Sequence, residues 1–401
     1  MNDRLRNDAR EIYESAIASC LPEEAVKNAL THFSMPSGRI ILIAVGKAAW
    51  SMARAASEIL PADKGLIITK HGYARGPVAD FQIIEAGHPI SDEKSIQAAE
   101  TAIGMVRDLN QNDTVVFLLS GGGSALFEKP RISFDHLKVI NDELLRSGAT
   151  IREINTLRKR LSYVKGGQFA RLCSPAHVFN IILSDIIGDP LDMIASGPTC
   201  PDSSTYKEAL EVIRKYHLSV EPAQLNKERI DTLDNIETYI AGNNALLTGA
   251  AARKARELGY RIIQPDEPLT CLSDEAEEIL SSYYSKYKNS GTAIILGGEI
   301  TVRVNGTGKG GRNQHLALMM LDKLDEDSCL FCVGSDGTDG PTDAAGAYVD
   351  GTMKLPDADD FLLNNDSYRG LEKINGLIKT GPTGTNVCDL YCLLTGSPHR
   401  K

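Results

Sequence analysis

The segments RIILIAVGKAAWSMARAASEIL (39–60) and GLIITK (65–70) together predict one βαβ unit near the start of the chain. The first begins with a continuous apolar run, turns at Gly46 and continues into an alanine-rich helix. The second is a short apolar run typical of a buried strand. A buried strand, a helix and a second buried strand form the repeating unit of a mostly parallel sheet that helices cover on both faces.

The same alternation of apolar runs and helices continues up to residue 184. It predicts strands at 81–87, 114–120 and 178–184, and helices at 92–109, 134–147 and 151–172. We therefore expect the α/β class, with a mostly parallel sheet in the amino-terminal part of the chain.

A change of character between residues 202 and 235 indicates a domain boundary. This segment is polar and helical, and it contains no strand-like run. Beyond it, strands are predicted at 237–242 (ETYIAG), 260–264 and 292–304, and helices at 244–258 and 273–288. The GGE within 292–304 separates two short strands, which indicates a hairpin and therefore a mixed sheet. We predict two domains, 1–235 and 236–401.

Composition and charge narrow the functional class. The chain has 401 residues, which favours two domains, and its net charge of −10 comes from 53 acidic and 43 basic residues. A negative protein is a poor partner for nucleic acid or an anionic membrane, so any bound anion must be met by local positive groups.

No apolar stretch approaches the roughly 18 residues of a membrane span, and the amino terminus carries charges where a signal peptide needs an apolar core. We expect a cytoplasmic protein. Eight cysteines lie mostly in apolar segments. The pairs Cys329/Cys332 and Cys388/Cys392 leave a zinc site open as an alternative, but filling of the core is favoured.

The loop SGGGS at 120–124 follows a predicted strand and is the first candidate site. Gly121, Gly122 and Gly123 allow backbone N–H groups to converge on an anion, and Ser120 and Ser124 add hydroxyl groups. The interpretation is a cradle for a phosphate or a carboxylate, and the alternative is a tight turn from strand to helix.

Lys47 follows Gly46 at the end of the first predicted strand, so its ammonium group should lie at the same edge of the sheet. The motif is not a Walker loop, because Ile41 stands where that loop has a glycine. A solvated lysine is the alternative.

Two further loops carry carboxylates. In GSDGTDGPTDAAG (334–346), Asp336, Asp339 and Asp343 offer oxygen ligands suited to Mg²⁺, although an Asp- and Gly-rich turn would have the same composition. In SDIIGDP, Asp185 and Asp189 could share a metal ion, or one could act as a general base. Helix capping by Asp189 or Asp192 is the alternative.

The segment NGTGKGGRNQ (305–314) contains Gly306, Gly308 and Gly311 in the spacing of the dinucleotide fingerprint GxGxxG. Lys309 and Arg312 add positive charges that suit terminal phosphates or a transferring phosphoryl group. NAD binding by the same glycines is the alternative.

Eight motifs occur along nearly the whole chain in the order found in one enzyme family. They are GKAAWSMARAA (46–56), GHPISDE (87–93), SGGGSAL (120–126), VKGGQFA (164–170), SDIIGDPLDMIASGPTCPD (184–202), GGEITVRVNGTGKGGRNQ (297–314), GSDGTDGPTDAAGA (334–347) and GPTGTNVCDL (381–390). In this the sequence closely resembles the class II glycerate kinases, the glycerate 2-kinase family.

The resemblance implies ATP- and Mg²⁺-dependent phosphorylation of D-glycerate to 2-phosphoglycerate. Some members were formerly labelled hydroxypyruvate reductases, which leaves an NAD(P)-dependent reductase as the alternative. It also implies a larger, Rossmann-like α/β/α domain, a smaller α/β domain and an active site in the cleft between them. A homodimer is possible, and neither nucleic acid nor a membrane is expected as a partner.

Residue by residue, Lys47 and Arg312 match the family's lysine and arginine that are proposed as essential, and Asp185 or Asp189 is the expected base. The family's GGRNQE reads GGRNQH here, with His315, and its RKHLS reads RKRLS, with Arg160. The expected substrate or phosphate contacts are Ser120, Gly121, Gly122, Gly123, Ser124, Lys165, Ser196 and Gly197. The expected nucleotide contacts are Gly306, Gly308, Lys309, Gly310, Gly311, Asn313, Asp336, Thr338 and Asp339. The expected metal ligands are Asp189, Asp339 and Asp343.

Overall fold

The computed structural model describes residues 2–398, which form two compact units. The amino-terminal unit contains Pro22–Ser184 and Gly188–Ala241. The carboxy-terminal unit contains the chain from Gly242 onward, the segment up to Leu21 and the short segment Asp185–Ile187. The fold confirms the predicted α/β class.

The helices and strands are numbered in chain order. The helices are α1 Asp3–Ala18, α2 Pro22–Leu30, α3 Ala49–Ser57, α4 Glu93–Val106, α5 Gly123–Leu126, α6 Phe134–Arg146, α7 Ile151–Arg160, α8 Gln168–Cys173, α9 Tyr206–Tyr216, α10 Asn244–Glu257, α11 Ser273–Tyr287, α12 Arg312–Met320, α13 Ala358–Leu363 and α14 Ser367–Lys373. The strands are β1 Ile40–Val45, β2 Lys64–Lys70, β3 Gln82–Ala86, β4 Thr114–Leu119, β5 His177–Leu183, β6 Ile236–Gly242, β7 Arg261–Ile263, β8 Thr292–Gly298, β9 Ser328–Gly334, β10 Gly346–Asp350, β11 Leu377–Ile378 and β12 Asp389–Thr395.

The sheet of the amino-terminal unit has the strand order β3-β2-β1-β4-β5-β6. β1 pairs in parallel with β2 on one side and β4 on the other, and β2–β3 and β4–β5 are also parallel. This is the order of a doubly wound dinucleotide-binding fold, in which ligands bind beyond the carboxyl ends of the strands where the order reverses. Here the reversal lies between β1 and β4, directly before Lys47 and the 120–124 loop.

Both faces of this sheet are covered, which explains why its strands are continuously apolar. Alternate residues such as Leu42, Ala44 and Val116 form one buried cluster with α2 and α3. On the opposite face, the ring of Phe117 lies 5.2 Å from that of Phe169 in α8. Burial on both sides fixes the ends of β1 and β4, and therefore the loops that follow them.

The sheet of the carboxy-terminal unit has the order β11-β10-β9-β12-β8-β7. Only β7 and β8 pair in parallel among the pairings of this sheet within residues 2–398, so the predicted mixed sheet is confirmed. The predicted hairpin at GGE is wrong, however, since β8 pairs antiparallel with β12. Gly297 instead allows Asn244 to pack against the strand, since a Cβ on Gly297 would lie 1.6 Å from Oδ1 of Asn244.

Three other expectations differ from the structure. The strand ETYIAG, placed in the second domain from sequence, is β6 at the edge of the first sheet. The predicted helix 151–172 is interrupted between α7 and α8, where Gly166 and Gly167 adopt positive φ angles of 58° and 79°. Helix α1 belongs to the carboxy-terminal unit, where its apolar face joins the core cluster. The boundary at 235/236 itself stays a prediction.

Cys329 and Cys332 of β9 and Cys392 of β12 are buried in the core of their sheet, as the favoured interpretation expected. Within residues 2–398, no helix combines the length and the apolar character that crossing a membrane requires.

Candidate active site

The carboxyl ends of β1 and β4 are joined by hydrogen bonds that fix Lys47 beside the 120–124 loop. The backbone N–H of Lys47 donates to the carbonyl of Gly121 at 2.9 Å, and the N–H of Ala48 donates to Oγ of Ser120 at 3.1 Å. Ser120 is buried, so its hydroxyl group holds the two loops together and is not exposed to a ligand. The lysine stem and the glycine loop therefore share one corner of the unit.

The glycine loop contains a run of backbone N–H groups without a protein acceptor. In the part of the chain that the structure describes, the N–H groups of Gly121, Gly122, Gly123 and Ser124 donate to no protein acceptor. Gly122 has a φ of 88°, and a Cβ there would lie 2.9 Å from the His88 ring and 3.4 Å from Cγ of Lys47. Unpaired N–H groups beside a lysine side chain are the elements from which an anion site is built.

His88 is a member of this corner that sequence reasoning missed, although it lies in the quoted motif GHPISDE. Its pKa is lowered to about 4, first by burial and then by the positive charges of Lys47 and Lys70. The imidazole is therefore neutral at pH 7 and can donate or accept a hydrogen bond without competing for the anion.

Ser124 continues the site toward the 194–197 turn. Its Oγ lies 2.9 Å from Oγ of Ser196, which donates to Oδ1 of Asn155 at 2.8 Å. Ala195 and Ser196 have positive φ angles of 50° and 60°, a conformation that costs non-glycine residues about 1–3 kcal/mol each. Such strain is found where a site needs a particular geometry, and Asn155 is a second residue that the sequence did not reveal.

The turn at 165–167 supports the strained segment from behind. The N–H groups of Gly166 and Gly167 donate to the carbonyl groups of Ser196 and Gly197 at 3.0 and 2.7 Å. Lys165, predicted to contact substrate, is fully buried, and its ammonium group binds Glu128 and the carbonyl of Phe127. Burial lowers the pKa of Lys165. Its geometry favours support of the turn rather than contact with substrate.

The loop after β5 holds the two candidate bases. Asp189 is half-buried with a φ of 51° and belongs to the amino-terminal unit. Asp185 belongs to the carboxy-terminal unit, where its carbonyl accepts a hydrogen bond from Sγ of Cys388 at 3.2 Å. The capping alternative is wrong, because the next helical turn, Ile194–Ser196, is preceded by Met193 and has no side-chain cap.

In the carboxy-terminal unit, Arg312 begins α12 and is held by two carboxylates. Its Nε and one Nη donate to Asp389 at 2.6 and 3.1 Å, and its other Nη donates to Glu299 at 2.7 Å. Burial opposes the positive charge, but Asp389 and Glu299 outweigh it and raise the pKa of Arg312. Asp389 is buried and also accepts from the hydroxyl of Tyr391. Sequence reasoning missed Asp389, the second-to-last residue of the quoted motif GPTGTNVCDL.

The GxGxxG segment lacks the open donors of a dinucleotide loop. The N–H groups of Gly306, Thr307, Gly308 and Lys309 all donate to the segment Asn364–Asp366, at 2.8 to 3.2 Å. The ammonium group of Lys309 lies over the Tyr368 ring, 4.1 Å from its centroid. Gly310 and Gly311 differ, since their N–H groups have no protein acceptor within the described residues.

The carboxylates of the acidic 334–346 loop all contact other groups of the protein. Asp339 is buried and accepts from the N–H groups of Asn313 and Gln314, so it caps α12. Burial raises its pKa to about 6. Asp343 is exposed and binds Tyr368 and Lys379. The Asp336 carboxylate accepts from the N–H of Thr338 at 2.9 Å, a local turn.

These contacts do not fit a metal site built by the protein. Among residues 2–398, no three His, Cys, Asp or Glu side chains are grouped to hold a metal ion. Asp339 directs both carboxylate oxygens to the helix, and Asn313 donates both its N–H and its side-chain amide to Asp339. The predicted use of Asp339 as a metal ligand therefore conflicts with its capping role.

Both positions at which the chain departs from the family pattern are buried. The Arg160 guanidinium donates to the carbonyls of Ser204 and Glu228, each at 2.6 Å, and pairs with Asp202 at 3.1 Å. His315 lies in α12, where burial lowers its pKa. Arg160 thus ties the end of α7 to the 202–228 segment.

Known proteins resemble this chain over nearly its full length. Residues 8–229 match a family described as a domain of unknown function (DUF4147), and residues 292–389 match the MOFRL family. A D-glycerate 2-kinase of Thermotoga maritima is 45% identical, and the match covers 97% of this chain and 98% of that protein. A glycerate 2-kinase of Pyrococcus horikoshii is 40% identical, with 90% and 88% covered.

The fold agrees with these matches. A crystal structure of glycerate kinase from Thermotoga maritima has a TM-score of 0.94 and 44% identity, and covers 98% of this chain and all of that one. The resemblance inferred from the motifs is therefore confirmed.

Proposed function

This chain belongs to the glycerate 2-kinase family, and we propose that it transfers the γ-phosphoryl group of ATP to the 2-hydroxyl of D-glycerate. The observation that supports this best is the open loop Gly121–Ser124 beside Lys47, at the point where the strand order reverses. Phosphoryl transfer requires positioning and neutralisation of charge more than a nucleophile from the protein. An anion cradle with an adjacent ammonium group supplies both.

In this proposal the cradle and Lys47 hold the transferring phosphoryl group. Charge on its oxygens is met by the four N–H groups and by the ammonium group, which are already in place and need no reorganisation. His88 stays neutral, so it can orient an oxygen atom by a hydrogen bond while Lys47 carries the charge. Ser124 adds a hydroxyl group at the end of the cradle.

Arg312 supplies the second positive charge. Asp389 accepts hydrogen bonds from two of its nitrogen atoms, which fixes the plane of the guanidinium group, and Glu299 accepts one from the third. Glu299 is half-exposed and Asp389 is buried. An incoming phosphate can therefore replace Glu299 as partner while Asp389 keeps Arg312 oriented. The open N–H groups of Gly310 and Gly311, next to Arg312, extend the nucleotide contact.

The proton of the 2-hydroxyl passes to Asp185 or Asp189, the two carboxylates after β5. Mg²⁺ accompanies ATP, since this ion typically keeps several waters and binds through phosphates and one or two carboxylates. Of the three predicted ligands, Asp339 is assigned to the helix, and Asp189 and Asp343 stay predictions. A cytoplasmic site of action, a cleft between two domains and a homodimer remain part of the proposal.

The reductase alternative is weaker on one specific observation. NAD binding through GxGxxG needs backbone N–H groups directed at the pyrophosphate. Here the N–H groups of Gly306 and Gly308 are already paired with Asn365 and Asn364.

One assay separates the two functions. Purified protein is given D-glycerate, ATP and Mg²⁺, release of ADP is measured, and the product is analysed for phosphate on the 2- or 3-hydroxyl. We expect ADP release that depends strictly on D-glycerate, with 2-phosphoglycerate as product. Oxidation of NADH by hydroxypyruvate without any glycerate-dependent ADP would overturn the proposal.

A further inference from the structure

Three neighbouring strands of the amino-terminal unit are followed by nitrogen-bearing side chains at one edge of its sheet. In β1 and β2, paired residues near the carboxyl ends are each followed two positions later by a lysine, Lys47 in one case and Lys70 in the other. Lys70 in turn pairs with Ala86 of β3, and His88 follows Ala86 by two positions. Neighbouring strands lie about 4.8 Å apart, so the backbone positions of the three residues fall along one short stretch of the sheet edge.

The ring of His88 lies close to both lysines. Its pKa is lowered to about 4 by burial, by the charge of Lys47 and by the charge of Lys70. A charge acts on a pKa only over a short range, comparable to the Debye length of about 8–10 Å, so both ammonium groups are near the ring. The neutral ring can donate a hydrogen bond here without adding a third positive charge.

The two lysines have no counter-charge from the protein. Within residues 2–398, the side chains of Lys47, Lys70 and His88 make no ion pair or hydrogen bond. The ammonium group of Lys70 lies 5.2 Å from the centroid of the Tyr73 ring, a contact that uses none of its three N–H donors. All three side chains belong to half-buried residues. Two nearby positive charges at a half-buried site are stabilised by an anion placed between them.

The carboxylates closest in sequence do not supply that anion. Glu85 accepts hydrogen bonds from backbone N–H groups, including that of Ala74 at 2.9 Å. Asp92 uses one oxygen for the N–H of Ser95 at 3.0 Å and the other for the ring of His71 at 2.8 Å. Both carboxylates are therefore satisfied by their own surroundings, and the positive charge of the sheet edge stays available to a ligand.

His88 connects this edge to the 120–124 loop, since a Cβ on Gly122 would lie 3.0 Å from its Nε2. We propose that Lys70 and His88 bind a second anionic group, a carboxylate or a phosphate, next to the phosphoryl group that Lys47 and the 120–124 loop hold. This inference rests on the proposed function, which supplies the first anion. Two reactants carry such a group: the acceptor has a carboxylate beside its 2-hydroxyl, and the nucleotide has a phosphate next to the one that is transferred.

Substitutions at two positions test the proposal. Lys70→Gln removes the charge and keeps a polar side chain, and Lys70→Arg restores the charge. His88→Leu removes the hydrogen-bonding groups of the ring, and His88→Asn keeps a neutral donor. Lys64→Gln is the matched control, because Lys64 is the exposed first residue of the same strand, β2, and lies at its opposite end. The intact chain is used throughout, and circular dichroism checks that each variant is folded.

Each variant is studied by calorimetric binding of D-glycerate and of ADP, each without the other reactant, and by the KM values for D-glycerate and ATP. We expect Lys70→Gln to raise one KM by about tenfold or more and to weaken direct binding of that reactant similarly, with the other KM within about twofold of the parent. Lys70→Arg should recover most of this loss. His88→Leu should shift the same KM by a smaller factor, His88→Asn by less again, and Lys64→Gln should shift neither value.

The affected reactant identifies the anionic group. A higher KM for D-glycerate with weaker binding of D-glycerate assigns the site to the carboxylate of the acceptor. A higher KM for ATP with weaker binding of ADP assigns it to a phosphate of the nucleotide.

The outcomes also separate this inference from the proposed function. If the parent phosphorylates D-glycerate and folded Lys70→Gln matches Lys64→Gln in both KM values and in binding, the second anion site is disproved while the function stands. If the parent binds D-glycerate or ADP without phosphorylating glycerate, and Lys70→Gln weakens that binding, the function fails while the anion site stands. A fall in kcat with both KM values and both binding constants unchanged would also overturn the anion site.

Discussion

Two glycine-containing segments, 120–124 and 306–309, have opposite hydrogen-bonding states. In the first, the N–H groups of Gly121 to Ser124 have no protein acceptor within residues 2–398. In the second, the N–H groups from Gly306 to Lys309 are all taken by Asn364–Asp366. Glycine content indicates that another group approaches the backbone closely. The neighbouring segment decides whether that group is a ligand or another part of the protein.

The lysines of the two loops also differ in whether the protein already occupies their surroundings. Lys47 lies beside open donors, and its charge is one cause of the lowered pKa of His88. Lys309 packs on the ring of Tyr368, whose backbone N–H donates to the carbonyl of Lys309. One lysine is positioned for an anion and the other stabilises its own loop.

The largest effect should come from exchanging these lysines for alanine. Lys47→Ala removes a charge-stabilising contact and should lower kcat by about 10²–10³-fold, or roughly 3–4 kcal/mol. Lys309→Ala should lower kcat by less than about tenfold, because Lys309 packs on Tyr368 within its own loop and its loss mainly affects stability, by about 0.5–2 kcal/mol. Steady-state kinetics with D-glycerate measure both. Equal losses in the two variants would erase the functional difference between the loops.

Glycine-to-alanine exchanges should separate activity from stability. At Gly122, a Cβ would point at His88 and Lys47 in a backbone conformation that alanine disfavours, so kcat/KM should fall by more than the folded fraction does. At Gly308, a Cβ would lie 2.4 Å from Cβ of Asp366, and this overpacking should cost about 1–3 kcal/mol of unfolding free energy.

Urea denaturation gives the unfolding free energy of each glycine variant, and steady-state kinetics give its activity per folded molecule. Gly308→Ala should retain the parent kcat per folded molecule, whereas Gly122→Ala should not. A Gly308→Ala protein that is stable but inactive would indicate that the second loop binds ligand after all.

Asp339, which caps α12 behind the second loop, should make the free energy of unfolding depend on pH. Its folded pKa of about 6 lies above the usual value near 3.9, so its contribution to stability is fully present below about pH 3.9 and is lost as pH rises through 6. Relative to Asp339→Asn, which lacks this titration, the parent should gain about 1 kcal/mol between pH 7 and pH 5. Urea unfolding at both pH values measures the difference, and a gain of opposite sign would contradict the raised pKa.

The smallest effect should come from Asn365, whose side chain accepts from the N–H groups of Asn305 and Gly306. Asn365→Gly removes these bonds but tolerates the φ of 52°, and should cost a few tenths to about 1 kcal/mol. Asn365→Ala should cost more, because alanine also disfavours that backbone conformation. If the closed loop is structural, kcat per folded molecule stays unchanged in both variants.

Much of the fold could be read from the sequence, and the exceptions have local causes. The apolar runs at 40–45 and 114–119 could only be buried strands, so the first sheet was predictable. The strand at 236–242 carries no signal for which sheet accepts it, and GGE mimics a hairpin although Gly297 only makes room for Asn244. Helix α1 is amphipathic, and its apolar face does not specify the unit on which it packs.

The candidate site divides in the same way. Lys47, Arg312 and the 120–124 loop were predicted from residue type, loop position and motif order, and their roles stay predictions. His88, Asn155 and Asp389 were missed, since each acts through contacts with residues far away in the sequence. Lys165 and Asp339 looked like ligand contacts because a charged residue beside glycines has the same sequence signature whether it meets a ligand or a buried partner.

By itself, the sequence determined the α/β class, the two kinds of sheet and the glycerate kinase family, because periodicity and motif order are properties of the chain alone. Only the tertiary structure decided which glycine loop keeps its donors open and which carboxylates are already used. The physical reason is that a backbone N–H group or a carboxylate binds a ligand only if no other part of the protein reaches it first.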